Sequence, residues 1–130
     1  MILRAAALAG VLLLVGAGGG ALAADPSFLG DWARGDGKTH IRIEPCGGAF
    51  CALNTWVRGG VTGEKIGDRL TINVRPAGAE RWSGDAFDPQ RNQTYTITIH
   101  VANERMTTYG CVSSGIFCAS MSWTRLDQSK

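Results

Sequence analysis

The most constraining feature of this chain is a strict alternation of apolar and polar residues over Thr94–Val101. Tyr95, Ile97 and Ile99 fall on one phase together with Val101, and three threonines fall on the other. A period of two is typical of an antiparallel strand with one buried and one solvated face. Windows of about 11–18 residues show no helical spacing of apolar residues, so the sequence predicts an all-β fold.

The same alternation recurs in shorter runs, and it is clearest in Leu70–Arg75 and His40–Glu44. Further runs of strand-forming residues are Phe28–Arg34, Phe50–Trp56, Arg81–Phe87, Arg105–Cys111 and Phe117–Leu126. Clusters of Gly, Pro, Asn, Asp and Ser separate them, and the glycine-rich stretch Arg58–Arg69 is predicted to be a long loop. About eight strands in meander order favour a small antiparallel up-and-down barrel, because closure removes the exposed sheet edges. A two-sheet β-sandwich is the alternative.

The N-terminal segment is organised like an export signal. Arg4 precedes Ala5–Gly20, which has no polar side chain, and Ala21–Ala24 supplies a small-residue cleavage site. We therefore expect a signal peptide over residues 1–24, a single domain over residues 25–130, and a periplasmic or secreted location, with a Gram-negative periplasm favoured. About 20 uncharged residues could just cross a bilayer, so an uncleaved anchor is the alternative. No second stretch approaches that length, and no membrane span is expected after cleavage.

Charge argues against two classes of partner. Removal of Arg4 with the signal reduces the 13 Lys and Arg to 12, against 11 Asp and Glu, a net charge of +1. Binding to nucleic acid or to an anionic membrane usually requires a clustered excess of basic residues. The near-balance in the sequence therefore favours neither.

Four cysteines, Cys46, Cys51, Cys111 and Cys118, form an even set in a chain that is expected to be exported. Two disulfides are the leading interpretation, because exported proteins fold in an oxidising compartment. Zinc is a weaker alternative, since neither pair has the spacing of a zinc site and both histidines lie far away in the sequence. The spacing favours local pairing across two hairpins, but a long-range bridge such as Cys51 to Cys111 remains open.

The two ends of the chain carry a matched set of residues. Gly30 and Trp32 lie in the first predicted strand, and Trp123 and Arg125 lie in the last. In a closed meander these strands are neighbours, so Trp32 would plug one end of the barrel and Arg125 could lie over its indole ring. This arrangement resembles the lipocalin and fatty-acid-binding superfamily, in which an N-terminal G-x-W tryptophan packs beneath an arginine of the last strand.

The mature chain also resembles a family of exported bacterial proteins called domain of unknown function 2147. The matching pieces are Gly30–Trp32, Ile43–Gly48 with Cys51, Trp82–Gly84 with Asp88-Pro89, Thr94-Tyr95, Gly110-Cys111, and Phe117-Cys118 through Trp123–Arg125. Ala52 and the segment Gln90–Gln93 depart from the usual pattern of this family. The resemblance implies a lipocalin-like barrel in the periplasm, and it implies no reaction.

Nothing in the sequence fixes a catalytic set. His40 and His100 lie on the polar phase of their strands, no nucleophile motif accompanies the serines, and Asp85 and Asp88 flank Phe87 near a proline turn. We therefore expect a protein that is not an enzyme and needs no cofactor.

Aromatic residues suggest a different role, the binding of a small apolar ligand at the barrel mouth opposite Trp32. The candidates for lining that pocket are Trp56, Trp82, Phe87 and Tyr95. The alternative is a protein-interaction module of the cell envelope, such as a protease inhibitor or accessory factor. That alternative predicts a filled interior and an exposed apolar patch on a rim loop around Val57–Val61.

Overall fold

The computed structural model describes Gly10, residues 25–112 and residues 115–127. Apart from Gly10, the predicted signal peptide over residues 1–24 lies outside the described residues. The described residues form eight strands: β1 (Gly30–Arg34), β2 (Thr39–Cys46), β3 (Ala49–Val57), β4 (Arg69–Gly78), β5 (Arg81–Asp88), β6 (Gln93–Ala102), β7 (Arg105–Val112) and β8 (Phe117–Arg125). No helix in this part of the chain is long and apolar enough to cross a membrane.

The strands form one closed barrel in which each pairs antiparallel with its neighbours in sequence. Closure comes from β1, which pairs with β8 in a register that sets Trp32 opposite Arg125 and Arg34 opposite Trp123. The predicted all-β up-and-down barrel is therefore confirmed, and the β-sandwich alternative is wrong. A barrel of this kind fits the lipocalin-like expectation.

Alternation decides which side chains fill the barrel. The inward phase of each strand supplies the core, whose most buried members include Ile43, Ile72, Ile99 and Met106. Gly84 occupies an inward position of β5 where no side chain fits, because a Cβ there would lie 2.0 Å from the backbone oxygen of Asn73. The backbone of β4 therefore occupies the space that a side chain at residue 84 would need.

Both disulfides are local, as the spacing favoured. Cys46 bonds Cys51 across the β2–β3 hairpin, and Cys111 bonds Cys118 across the β7–β8 hairpin. Cys111 and Cys118 are direct cross-strand partners. Each bridge therefore closes a single hairpin, and the long-range alternative is wrong.

An aromatic cluster closes one end of the barrel, which we call the closed end. Trp32 and Phe28 are fully buried there, and the indole nitrogen of Trp32 donates to the backbone oxygen of Phe28 at 2.9 Å. The Phe28 ring meets Phe50 and Trp82 edge-on, each at a centroid distance of 4.9 Å. The opposite end, where the β1–β2, β3–β4, β5–β6 and β7–β8 connections lie, is called the open end.

Arg125 covers the aromatic cluster from outside. Its guanidinium carbon lies 4.2 Å from the centroid of the Trp32 ring. Its Nη1 and Nη2 donate to the backbone oxygens of Leu29 and Ser27 at 2.9 and 2.6 Å. Gly30 has a φ of 111°, and a Cβ at this position would lie 3.0 Å from the Arg125 Nη1. Glycine is therefore needed both for the backbone conformation and for the space that Arg125 occupies.

Candidate ligand cavity at the open end

A cavity of about 350 Å³ lies inside the barrel and extends to the open end. Its deep wall is apolar and is contributed by strands around the whole barrel: Ile41, Ile43, Ala52, Leu70, Ile72, Ala86, Ile97, Ile99, Met106, Met121 and Trp123. Its outer wall is polar and includes Arg34, Asn54, Glu64, Asp68, Asp88 and Arg91. The cavity is therefore amphipathic along its depth, with charges only near the mouth.

The long β3–β4 connection, residues 58–68, forms part of this outer wall, and we call it the strap. Backbone bonds hold its C-terminal part to β3, from the Asn54 amide to the Asp68 oxygen and from the Gly67 amide to the Asn54 oxygen. The Asn54 side chain also donates to the backbone oxygen of Lys65 at 3.1 Å. The sequence predicted a loop here, and the structure gives it fixed attachments.

An ion pair attaches the strap to β1. Arg34 donates from Nη1 and Nη2 to the two carboxylate oxygens of Glu64 at 2.7 and 2.8 Å, and its Nε bonds Asp36 at 2.9 Å. The paired hydrogen bonds from Arg34 hold the pKa of Glu64 below its usual value, although partial burial opposes the shift. The same contacts raise the pKa of Arg34, so both groups stay charged.

A second ionic contact lies at the β5–β6 turn. Asp88 accepts from the Arg91 Nη1 at 2.7 Å and from the Gln90 side chain at 2.7 Å. Burial favours the neutral form of Asp88, but the hydrogen bonds from Arg91 and Gln90 outweigh it and lower the pKa of the carboxyl. Arg91 also donates to the backbone oxygen of Gly63 in the strap. The strap is thus held on both sides of the mouth.

Thr108 and Tyr95 add hydroxyl groups to the cavity wall. The Trp123 indole nitrogen donates to the Thr108 hydroxyl at 3.0 Å, which satisfies both groups inside the cavity. Tyr95 also lines the cavity, on the inward phase of β6. The Tyr95 hydroxyl makes no hydrogen bond with another described residue, so it is available to a ligand.

Of the four aromatic residues predicted to line a pocket, the structure places only Tyr95 in the cavity. Trp82 and Phe87 are five positions apart in β5 and so lie on opposite faces of one strand. Trp82 faces inward but belongs to the closed-end cluster, and Phe87 faces outward. Trp56 is on the outer surface, because a bulge in β3 adds Thr55 between the paired positions.

The outward turn of Trp56 creates a surface contact instead. Its ring lies against the His40 ring at a centroid distance of 4.5 Å, and the two residues are cross-strand partners. His100 follows the outward phase of β6, as predicted. Among the described residues, no group of three His, Cys, Asp or Glu side chains is arranged to hold a metal ion.

The ionic residues of the mouth were not identified from the sequence, in which Asp88 was interpreted only as a residue near a turn. Arg34 and Asp88 each share the inward phase of their strand with buried neighbours, Trp32 and Ala86. A charged residue on an inward phase at the end of a strand is the signal that could have identified them. Their partners Glu64 and Arg91 lie in connections without periodicity, so no local pattern marked them.

Among known proteins, the chain is similar to a solved structure and to a family model. A solved redesigned beta barrel is 12% identical in sequence, with a TM-score of 0.48, and the match covers 75% of this chain and 86% of that chain. No curated protein matches the chain significantly. A model of the family described as "Uncharacterized protein conserved in bacteria (DUF2147)" matches residues 30–125. From the first barrel strand to the last, the chain therefore belongs to the DUF2147 family of bacterial proteins.

Proposed function

We propose that this protein is a non-catalytic, exported binding protein that holds a small, largely apolar molecule inside its barrel. The observation that carries the proposal is the cavity of about 350 Å³ at the open end. Ligand sites in proteins usually measure about 300–1,000 Å³, and most of their wall is apolar. The cavity lies opposite the Trp32 cluster, where the sequence led us to expect a ligand to enter.

The size and the wall limit the ligand. The cavity volume of about 350 Å³ lies near the lower end of the range for ligand sites, so the ligand must be small. The deep apolar wall favours a hydrocarbon or aromatic part, because its burial removes apolar surface from water. The charges at the mouth favour a polar end that remains near the strap, since an apolar group there would leave them poorly solvated. A short amphiphile meets both requirements.

Two further observations are compatible with this proposal. Two disulfides and membership of a bacterial family fit an exported protein. The alternative role, an envelope protein-interaction module, predicted a filled interior, so the cavity favours the ligand proposal over it.

Titration with the fluorescent apolar probe N-phenyl-1-naphthylamine tests the proposal. We expect saturable binding of one probe per protein, with a change in the emission of Trp123, which lines the cavity. Ala119 also lines the cavity, so Ala119→Phe should fill the space and weaken binding at least tenfold. Ser120→Phe is the matched control, because the next residue of β8 faces outward.

Two results would overturn the proposal. One is the absence of saturable binding by the folded wild-type protein, both to this probe and to a series of medium-chain alcohols, amines and carboxylates. The other is equal weakening by Ala119→Phe and Ser120→Phe, which would place the probe outside the barrel. Native mass spectrometry of the protein purified from its own bacterium is a separate measurement, and it would identify a molecule that the protein retains.

A further inference from the structure

We propose that the open end of the barrel docks on the surface of an anionic lipid bilayer, with the cavity mouth facing the lipid. The docking itself does not depend on ligand binding. Its use, the exchange of an amphiphile between the bilayer and the cavity, rests on the proposed function.

Large apolar side chains are exposed on two connections of the open end. Ile66 in the strap is 67% exposed, and Ile116 and Phe117 at the β7–β8 connection are 73% and 67% exposed. In a closed eight-stranded meander the β3–β4 and β7–β8 connections are four strands apart, on opposite sides of the mouth. A surface that covers both sets of side chains must therefore lie across the mouth.

Charge is unevenly distributed along the barrel axis. The open end, from the four connections and the residues next to them, contains six basic and four acidic residues, and the rest of the described chain contains five basic and seven acidic ones. Five of the basic residues at the open end are exposed, Lys38, Arg58, Lys65, Arg69 and Arg91, and of these Arg91 is paired with Asp88. The acidic residues there are less available, because Glu64, Asp68 and Asp88 are partly or fully buried and Asp36 bonds Arg34. The exposed surface of the open end is therefore cationic.

This distribution changes the conclusion drawn from the total charge. The near-balance in the sequence argued against an anionic membrane, but the fold gathers the excess of basic residues at one end. Exposed apolar side chains that share one surface with basic ones are typical of proteins bound at a membrane interface. The apolar groups enter the headgroup region while the basic groups meet anionic headgroups. A bilayer also supplies amphiphiles at the position where the cavity opens.

Flotation with lipid vesicles tests the proposal on the whole mature protein. We expect binding to vesicles of phosphatidylcholine mixed with phosphatidylglycerol, little binding to phosphatidylcholine alone, and a decrease as salt is added. Phe117→Ser removes an exposed apolar tip, and Lys65→Glu reverses a charge on the strap. Each should lower the partition coefficient about tenfold or more. Because both side chains project from the barrel, circular dichroism and thermal melting should show folded variants.

Matched controls lie elsewhere on the surface. Tyr109→Ser removes an exposed aromatic side chain from the outer wall of β7, and Arg75→Glu reverses an exposed charge on β4 away from the open end. Both controls should bind vesicles like the wild type. Equal losses in test and control variants would overturn the proposal, as would binding that is independent of phosphatidylglycerol.

The two proposals can fail separately. Phe117 does not line the cavity, so Phe117→Ser should still bind N-phenyl-1-naphthylamine in the absence of vesicles. Probe binding without vesicle binding would reject the docking and leave the proposed function standing. A further outcome is that the wild type does not bind vesicles but a cross-linker placed at residue 117 captures a protein in the native bacterium. The open end would then be a protein interface, and the bilayer proposal would be wrong.

Discussion

Replacement of Arg125 by methionine should test how strongly the chain ends close the barrel. Arg125 lies on the last strand, yet it stacks on Trp32 and bonds the backbone oxygens of Ser27 and Leu29 in the N-terminal segment. Arg125→Met keeps an unbranched apolar stem over the indole ring. It removes the charge and both hydrogen bonds. The decrease in the free energy of unfolding therefore measures the contacts that join the two ends of the chain.

The expected loss follows from these contacts. Cation–π contacts contribute about 0.5–2 kcal/mol, with the upper part of the range for desolvated pairs. Each hydrogen bond to a backbone oxygen contributes about 1 kcal/mol. Arg125→Met should therefore lower the free energy of unfolding by about 3 kcal/mol. Arg125→Lys keeps a cation but cannot reach both oxygens in the same way, so it should lose about half as much.

Glu104 provides the control for the remaining contact of Arg125. Its carboxylate lies 3.3 Å from the Arg125 Nε, but its side chain is 74% exposed. Exposed ion pairs contribute little, so Glu104→Gln should cost at most about 0.5 kcal/mol. Urea denaturation with both disulfides intact, followed by tryptophan fluorescence, measures all three variants. If Arg125→Met costs no more than Glu104→Gln, the proposed role of the Trp32–Arg125 contact is wrong.

Three further predictions concern Gly84, the strap and the disulfides. Gly84→Ala should lower the free energy of unfolding by about 2 kcal/mol or more, because the added Cβ would collide with the backbone oxygen of Asn73. Gly110→Ala is the control, since its Cβ would lie 3.6 Å from the nearest atom, and its melting temperature should stay close to that of the wild type. The pKa of Glu64 is lowered in the folded state. As the pH falls, the Glu64 carboxylate is therefore protonated at a higher pH in the unfolded chain than in the folded protein. The stabilisation by Arg34–Glu64 is therefore fully present above the pKa of an unfolded glutamate, about 4.3, and is lost progressively as the pH falls from there through the lower pKa of the folded state. Hydrogen exchange corrected for intrinsic rates should show the strap amides losing protection over this acidic range, and constant protection would contradict the prediction. Reduction of both disulfides should cost about 2 kcal/mol each, because each closes a short loop, and an unchanged urea midpoint would refute that estimate.

Local patterns in the sequence determined most of the architecture. The alternation at Thr94–Val101 and its repeats located the strands, because a period of two is a property of each strand by itself. The disulfides were predictable for a related reason, since each joins two cysteines of one hairpin. Cys111 and Cys118 are opposed in the register, whereas Cys51 lies opposite Glu44 and reaches Cys46 diagonally. The pairing of Trp32 with Arg125 followed once the first and last strands were assumed to be neighbours.

Tertiary structure decided the candidate site. Thr55 bulges from β3 only because of how β3 pairs with β2, and that register turned Trp56 outward. The Arg34–Glu64 contact joins a strand to a loop 30 residues later, at a distance where no sequence periodicity applies. The basic excess at the open end exists only because the fold brings four separate connections together. The sequence thus determined what depends on neighbouring residues, whereas register and closure in three dimensions determined the cavity mouth and its charge.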